Sequence, residues 1–327
     1  MSLQKKKDYL DYLKAFAIIL VVVGHSIGYH AEIKKDTIYE VVLLLIYAVH
    51  VPMFFFIAGY LCKKQDIKKY YIKKVNRIIV PFIMFTILKL IYSIFISNEF
   101  SHSTSLIKQV RDAFVYGELY WFIYAIFIMY CTAPLLWSRD NEKKCKQRNI
   151  FIFVCLLILN CVFALLKIDI TMIKIFQLGN VIKYFVYFMA GMICQQNSIH
   201  KFIKYNKVLS ALSVLIIVNL TFIITKFGLG SSYLLKVILA FSLMYLFYRL
   251  AKILPKKIYI LKLIGRYSLQ IMFFDSFFKV ILFMVADKFI SISMLWAIVI
   301  AIINVTLGCV CCIIIERIPY VKKLFGL

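Results

Sequence analysis

The residues that could do chemistry begin near the N-terminus. His25 closes the stretch DYLDYLKAFAIILVVVGH (8–25), with Lys14 eleven positions before it and Asp11 three before Lys14. An imidazole exchanges a proton near neutral pH, so it suits a general base or a nucleophile. On a helix, eleven residues return to nearly the same face with a rise of about 16 Å. Lys14 and His25 would therefore share a face at two depths, and Asp11 would lie within reach of Lys14. Lys14 equally suits an interfacial lysine whose stem lies along lipid.

Four further groups stand out. His50 opens HVPMFFFIAGY (50–60), where Pro52 frees a backbone carbonyl and Gly59 allows close helix approach. Lys73, Lys74 and Arg77, in KKVNR before Pro81, would share one face if that stretch is helical. Cations so placed can grip phosphates, although basic residues beside a membrane span are also what topology demands. Glu118 and Trp121 open GELYWFIYAIF, where an aromatic belt explains the Trp but not the acid. Asp275 sits in IGRYSLQIMFFDSF, about 14 Å along a helix from Arg266. An acid at the centre of a bilayer costs about 2.5–3.5 kcal/mol on insertion scales, so it needs a partner or a role.

The elements that must carry these residues follow from composition. Of 327 residues, 63% are hydrophobic, too many for the surface of a soluble domain of this size. Long apolar runs predict an all-α, polytopic integral membrane protein with about ten spans. They fall at 10–29, 39–62, 77–97, 119–138, 149–167, 178–195, 208–226, 232–250, 267–287 and 292–315. The net charge is +25, and alternate loops hold twenty-seven Lys and Arg against eight in the others. The richer set includes the N-terminal tail, 63–77, 138–148, 200–207, 249–266 and the C-terminal tail, so both termini are expected in the cytoplasm. With most of its basic residues in loops and tails, the chain is expected to meet membrane lipids and not nucleic acid. Counted from the cytoplasmic face, His25 lies about 22 Å deep and His50 about 18 Å, a similar level in adjacent helices. The nine cysteines show no CxxC pair or metal-ligand spacing, so apolar filling is expected and no metal. Lys14 interrupts the first apolar run and no small-residue cleavage site follows, so that run reads as a retained span. The expectation is a single membrane-embedded domain over 1–327 with no appended soluble domain.

Taken together, these motifs resemble membrane-bound acyltransferase family 3, the bacterial O-acyltransferases of polysaccharides. The first span with Lys14 and VVVGH, then HVPMFFFIAGY, KKVNRIIVPF, YWFIYAIF, IGRYSLQIMFFD and IIERIPY resemble the family's elements in order along the whole chain. The lysine at 14 is similar to the fucose 4-O-acetylase-like branch. Two positions depart: the family often has Arg where Lys14 stands, and His where Asp275 stands. The resemblance implies a plasma-membrane enzyme moving an acyl group, most often acetyl, from acyl-CoA to a hydroxyl of a lipid-linked or exported glycan. It implies His25 as catalytic base, or as the carrier of a transient acyl group, with Lys14 in the same machinery, steering or neutralising CoA or pairing with Asp11. Lys73, Lys74 and Arg77 would bind CoA phosphates, and His50, Glu118, Trp121 and Asp275 would orient the acceptor or His25. Ten spans with scattered Asp, Lys and His also suit a proton-coupled transporter or flippase for a glycan precursor. Repeated halves and paired broken helices, the usual marks of such carriers, are missing from the sequence.

Overall fold

A computed structural model describes residues 8–29, 37–95, 106–137, 141–197, 207–228, 232–255, 258–290 and 293–327. The N-terminal tail, loop 30–36 and parts of the basic segments 138–148, 200–207 and 249–266 lie outside the described residues. The described residues are predominantly helical and contain no strand. Its helices are α1 (Asp8–Tyr29), α2 (Thr37–Tyr60), α3 (Ile67–Lys74), α4 (Val80–Phe95), α5 (Leu106–Phe114), α6 (Trp121–Thr132) and α7 (Glu142–Leu165). Then come α8 (Leu178–Gln196), α9 (Lys207–Lys226), α10 (Tyr233–Ile253), α11 (Tyr259–Arg266), α12 (Ser268–Ala286), α13 (Met294–Glu316) and α14 (Pro319–Leu324).

Among the described residues, eight helices are long and apolar enough to cross a membrane. The chain is an all-α polytopic membrane protein. The two remaining expected spans form helices of a different kind. The one at 119–138 is shorter, because Pro134 turns its end into a 3-10 segment over Ala133–Leu136. The one at 178–195 becomes α8, which has the length but carries Asn180, Lys183, Gln195 and Gln196. The third span starts earlier than expected: α3 and α4 join through a π-helical turn, Val75–Ile79, into one run from Ile67 to Tyr92.

The chain divides into two compact units. The first comprises Met1–Ile57 and Ser198–Ile313. Its centre is α1, 61% of whose apolar window is buried, more than in any other span. Ala15, Ala17, Ile18, Val22 and Ile27 are all fully enclosed. Near the end of α1, Ile27 packs with Ile46 of α2, Phe283 of α12, and Ala297 and Ile300 of α13. The start of α1 is clasped by the short helix α11. Tyr12 donates to the Pro255 carbonyl at 2.7 Å and accepts from the Ile258 N–H at 3.2 Å, and Lys262 pairs with Asp8 at 3.1 Å. Gly265 makes the approach possible, since a Cβ there would fall 1.9 Å from the Asp11 carbonyl oxygen.

The second unit comprises Ala58–Asn197 and Ile314–Leu327. Gly59 does for it what sequence suggested: a Cβ would lie 1.9 Å from the Phe188 carbonyl oxygen of α8. Asn149 and Asn160 tie α7 to α8, through Gln196 at 3.0 Å and the Ile182 carbonyl at 3.1 Å. The outer surface of α7 is apolar, with Phe151, Ile158 and Leu165 exposed as lipid-facing residues would be.

Gly265→Ala is expected to push α11 off α1 and cost about 1–3 kcal/mol, the scale of overpacking. Its thermal unfolding midpoint in detergent should fall measurably below that of the parent protein. An unchanged midpoint would contradict the close seating of α11 on Asp11.

Candidate active site

His25 is placed by the last buried turns of α1. The glycine before it lets α2 come close: a Cβ on Gly24 would meet Ile46 at 2.8 Å and Tyr47 at 3.2 Å. Tyr47 also donates to the Gly24 carbonyl at 3.2 Å. From α12, Asp275 reaches the imidazole, and its Oδ2 lies 2.8 Å from His25 Nδ1. The other carboxylate oxygen accepts from Asn304 Nδ2 of α13, also at 2.8 Å. Three helices thus deliver one linear chain of hydrogen bonds, His25–Asp275–Asn304.

Exposure differs sharply along that chain. The His25 side chain is 41% exposed and the Asp275 side chain only 3%. Asn304 is fully buried. A carboxylate that accepts at both oxygens puts the proton of the first bond on His25 Nδ1. The Nε2 lone pair is then left for other work, and the imidazole tautomer is fixed by its partner. Asp275 is enclosed by helices that would otherwise disfavour a charge, and its two donors offset that cost.

The other sequence candidates separate between the two units. In the first unit, His50 is buried and its Nδ1–H donates to the Ile46 carbonyl at 2.7 Å. Lys14 Nζ pairs with Asp11 Oδ1 at 3.1 Å, each about a quarter exposed, so the base on the His25 face is held by its own helix.

In the second unit, the three cations point to different surroundings. Lys73 and Arg77 are exposed, while Lys74 is half-buried with Nζ 3.2 Å from the centre of the Tyr130 ring. The π-helical turn that follows Lys74 changes the register, so the cluster does not form a single exposed face. Behind it, Tyr70 donates to the Tyr130 carbonyl at 3.1 Å and lies 3.3 Å from the Cys62 thiol. Burial pushes the Cys62 thiol up from its ordinary range, which keeps it protonated and unsuited to nucleophilic attack. A cavity of about 230 Å³ opens nearby, with Lys63, Lys64 and Lys146 among its lining. Glu118 pairs with Lys174 at 3.1 Å, both exposed, and Trp121 stacks on Tyr184 with ring centres 5.5 Å apart.

The geometry of the first unit suits acid–base chemistry on a hydroxyl, and the family model described as an acyltransferase domain matches residues 7–315. The chain belongs to acyltransferase family 3. Comparison with curated proteins and with solved structures finds no match. Membership makes this protein a membrane acyltransferase. For such an enzyme, His25 has the attributes of a general base: a bare Nε2, partial exposure and an oriented Nδ1–H.

Asn304 was not singled out from the sequence. The signal was there, since it is an amide in the middle of the most apolar of the eight spans. Asp275 was singled out, but its partner lies 250 residues away, beyond the reach of any spacing argument.

Asp275→Asn keeps the shape of the side chain and removes its charge. Acyl transfer is expected to fall by about two orders of magnitude or more, as when a triad carboxylate is replaced by its amide. Folding, read by the unfolding midpoint, should be little changed. Transfer at the wild-type rate would show that the carboxylate does not serve His25.

Proposed function

We propose that this acyltransferase moves an acyl group, acetyl being the first choice, from acyl-CoA to a hydroxyl of a cell-surface or exported glycan. The observation that carries the reading is the hydrogen-bond chain from His25 through Asp275 to Asn304, in a chain that belongs to an acyltransferase family. The work belongs in a bacterial plasma membrane, with both termini in the cytoplasm. Loop charge supports that orientation.

In the proposed reaction His25 Nε2 takes the proton of the acceptor hydroxyl as its oxygen attacks the thioester carbonyl. The tetrahedral intermediate collapses, the C–S bond breaks, and the imidazolium returns its proton to the leaving thiolate. Asp275 holds the imidazole and stabilises its charged form between the two transfers. A preformed base of this kind contributes about 10²–10⁴-fold to the rate. CoA is polyanionic and cytoplasmic. Its phosphates suit exposed Lys73 and Arg77, with Lys74 adding charge from its seat on Tyr130. Lys14, near the start of α1, is a further candidate to steer or neutralise CoA, its charge moderated by Asp11. His50 stands with His25 in the first unit as an acceptor-orienting group. Glu118 and Trp121 are the corresponding polar and aromatic candidates of the second.

Membranes containing the protein, incubated with labelled acetyl-CoA and candidate glycans, test the reading. Label is expected to reach a glycan with wild-type protein and to be lost with His25→Ala. Equal transfer by both proteins would remove His25 from the reaction.

A further inference from the structure

The buried face of α13 is built from Ala297, Ile300, Ala301, Val305, Gly308 and Cys309, and Asn304 interrupts it. A leucine there would bring no polar atom of its own to satisfy. Asn304 has no exposed surface, and its Oδ1 finds no hydrogen-bond partner among the described residues. Half of its hydrogen-bonding capacity is therefore spent on nothing, which destabilises a buried amide. The interaction that the structure shows for its side chain is the donation from Nδ2 to Asp275 Oδ1.

That donation has a geometric consequence. A carboxylate held by one hydrogen bond can swing about its Cβ–Cγ bond. Held at both oxygens, from α1 and from α13, it cannot swing without breaking one of them. The imidazole that donates to it inherits the constraint, and the direction of the Nε2 lone pair is fixed with it.

We infer that Asn304 is a positioning residue for the catalytic base, acting on His25 through Asp275. The inference rests on the reading of His25 as that base. Asn304 touches no reacting atom. It locks the carboxylate, and the locked carboxylate aims the imidazole and keeps its proton on Nδ1, so that the bare nitrogen is the exposed Nε2.

Carbethoxylation of His25 by diethyl pyrocarbonate tests this without any acyl donor or glycan. The reagent is attacked by the neutral imidazole nitrogen, and the partial exposure of His25 lets it in. The purified protein is treated in detergent at one mildly alkaline pH, and modification of His25 is followed over time by peptide mass spectrometry. Asn304→Leu is expected to slow the modification about tenfold, the scale of one lost hydrogen bond to a charged group. In a protein already carrying Asp275→Asn, Asn304→Leu should add no further loss, because the two residues act in series. If Asn304→Leu does not fold, Asn304→Ala removes the same donor with less bulk.

A folded variant modified at the wild-type rate would overturn the inference, as would losses that multiply independently in the double variant. Because the reagent reports on the imidazole alone, these outcomes stand apart from the identity of donor and acceptor. A wild-type labelling rate with acyl transfer intact refutes the role of Asn304. A slowed rate with no acyl transfer to any glycan refutes the proposed substrates instead.

Discussion

The 2.8 Å hydrogen bond between His25 and Asp275 is the interaction on which the first unit turns. It puts a carboxylate inside a bundle of apolar helices. A buried charge of that kind is costly unless every lone pair that faces protein is used. Asn304 supplies the second donor, so three helices contribute one polar group each to a single chain. These helices also meet through apolar contacts, such as the cluster of Ile27, Ile46, Phe283, Ala297 and Ile300.

Small residues make that convergence possible. Gly24 admits Ile46 and Tyr47 of α2 beside His25, and Gly265 admits the Asp11 carbonyl at the other end of α1. In lipid, where burial of apolar surface between helices has little driving force, close backbone approach is the main source of specific packing. The first helix is thereby fixed at both ends: by α11 through Tyr12 and Asp8, and by α2 and α12 around His25. On the most enclosed helix of its unit, the base proposed at His25 gains the rigidity that a preorganised site requires.

Much of this was legible before any coordinates. Hydropathy and helix length are local properties, so eight of the ten expected spans appear as such. The Lys14–Asp11 pair follows from helical spacing, and the role of Gly59 from its small size. What sequence could not show depends on which helix meets which. The spacing of Lys73, Lys74 and Arg77 suggested one cationic face, but the π-helical turn and the Tyr130 ring divert Lys74. Asp275 is visible as an acid that needs a partner, yet nothing local says the partner is His25. Asn304 is quieter still, because a neutral amide in a membrane helix carries no charge to draw notice. The short end of the fourth expected span was legible in Pro134, which a hydropathy window averages away.

The role proposed for His25 depends on which imidazole nitrogen carries the proton. Solid-state or nanodisc NMR of protein labelled with ¹⁵N-histidine reads that directly. The chain has only five histidines, and His25→Ala assigns the signal. At a pH where the imidazole is neutral, the expected spectrum shows His25 with a protonated Nδ1 and a bare Nε2, as donation to Asp275 demands. A bare Nδ1 with a protonated Nε2 would contradict the account, since the lone pair would then face Asp275 and not the acceptor hydroxyl.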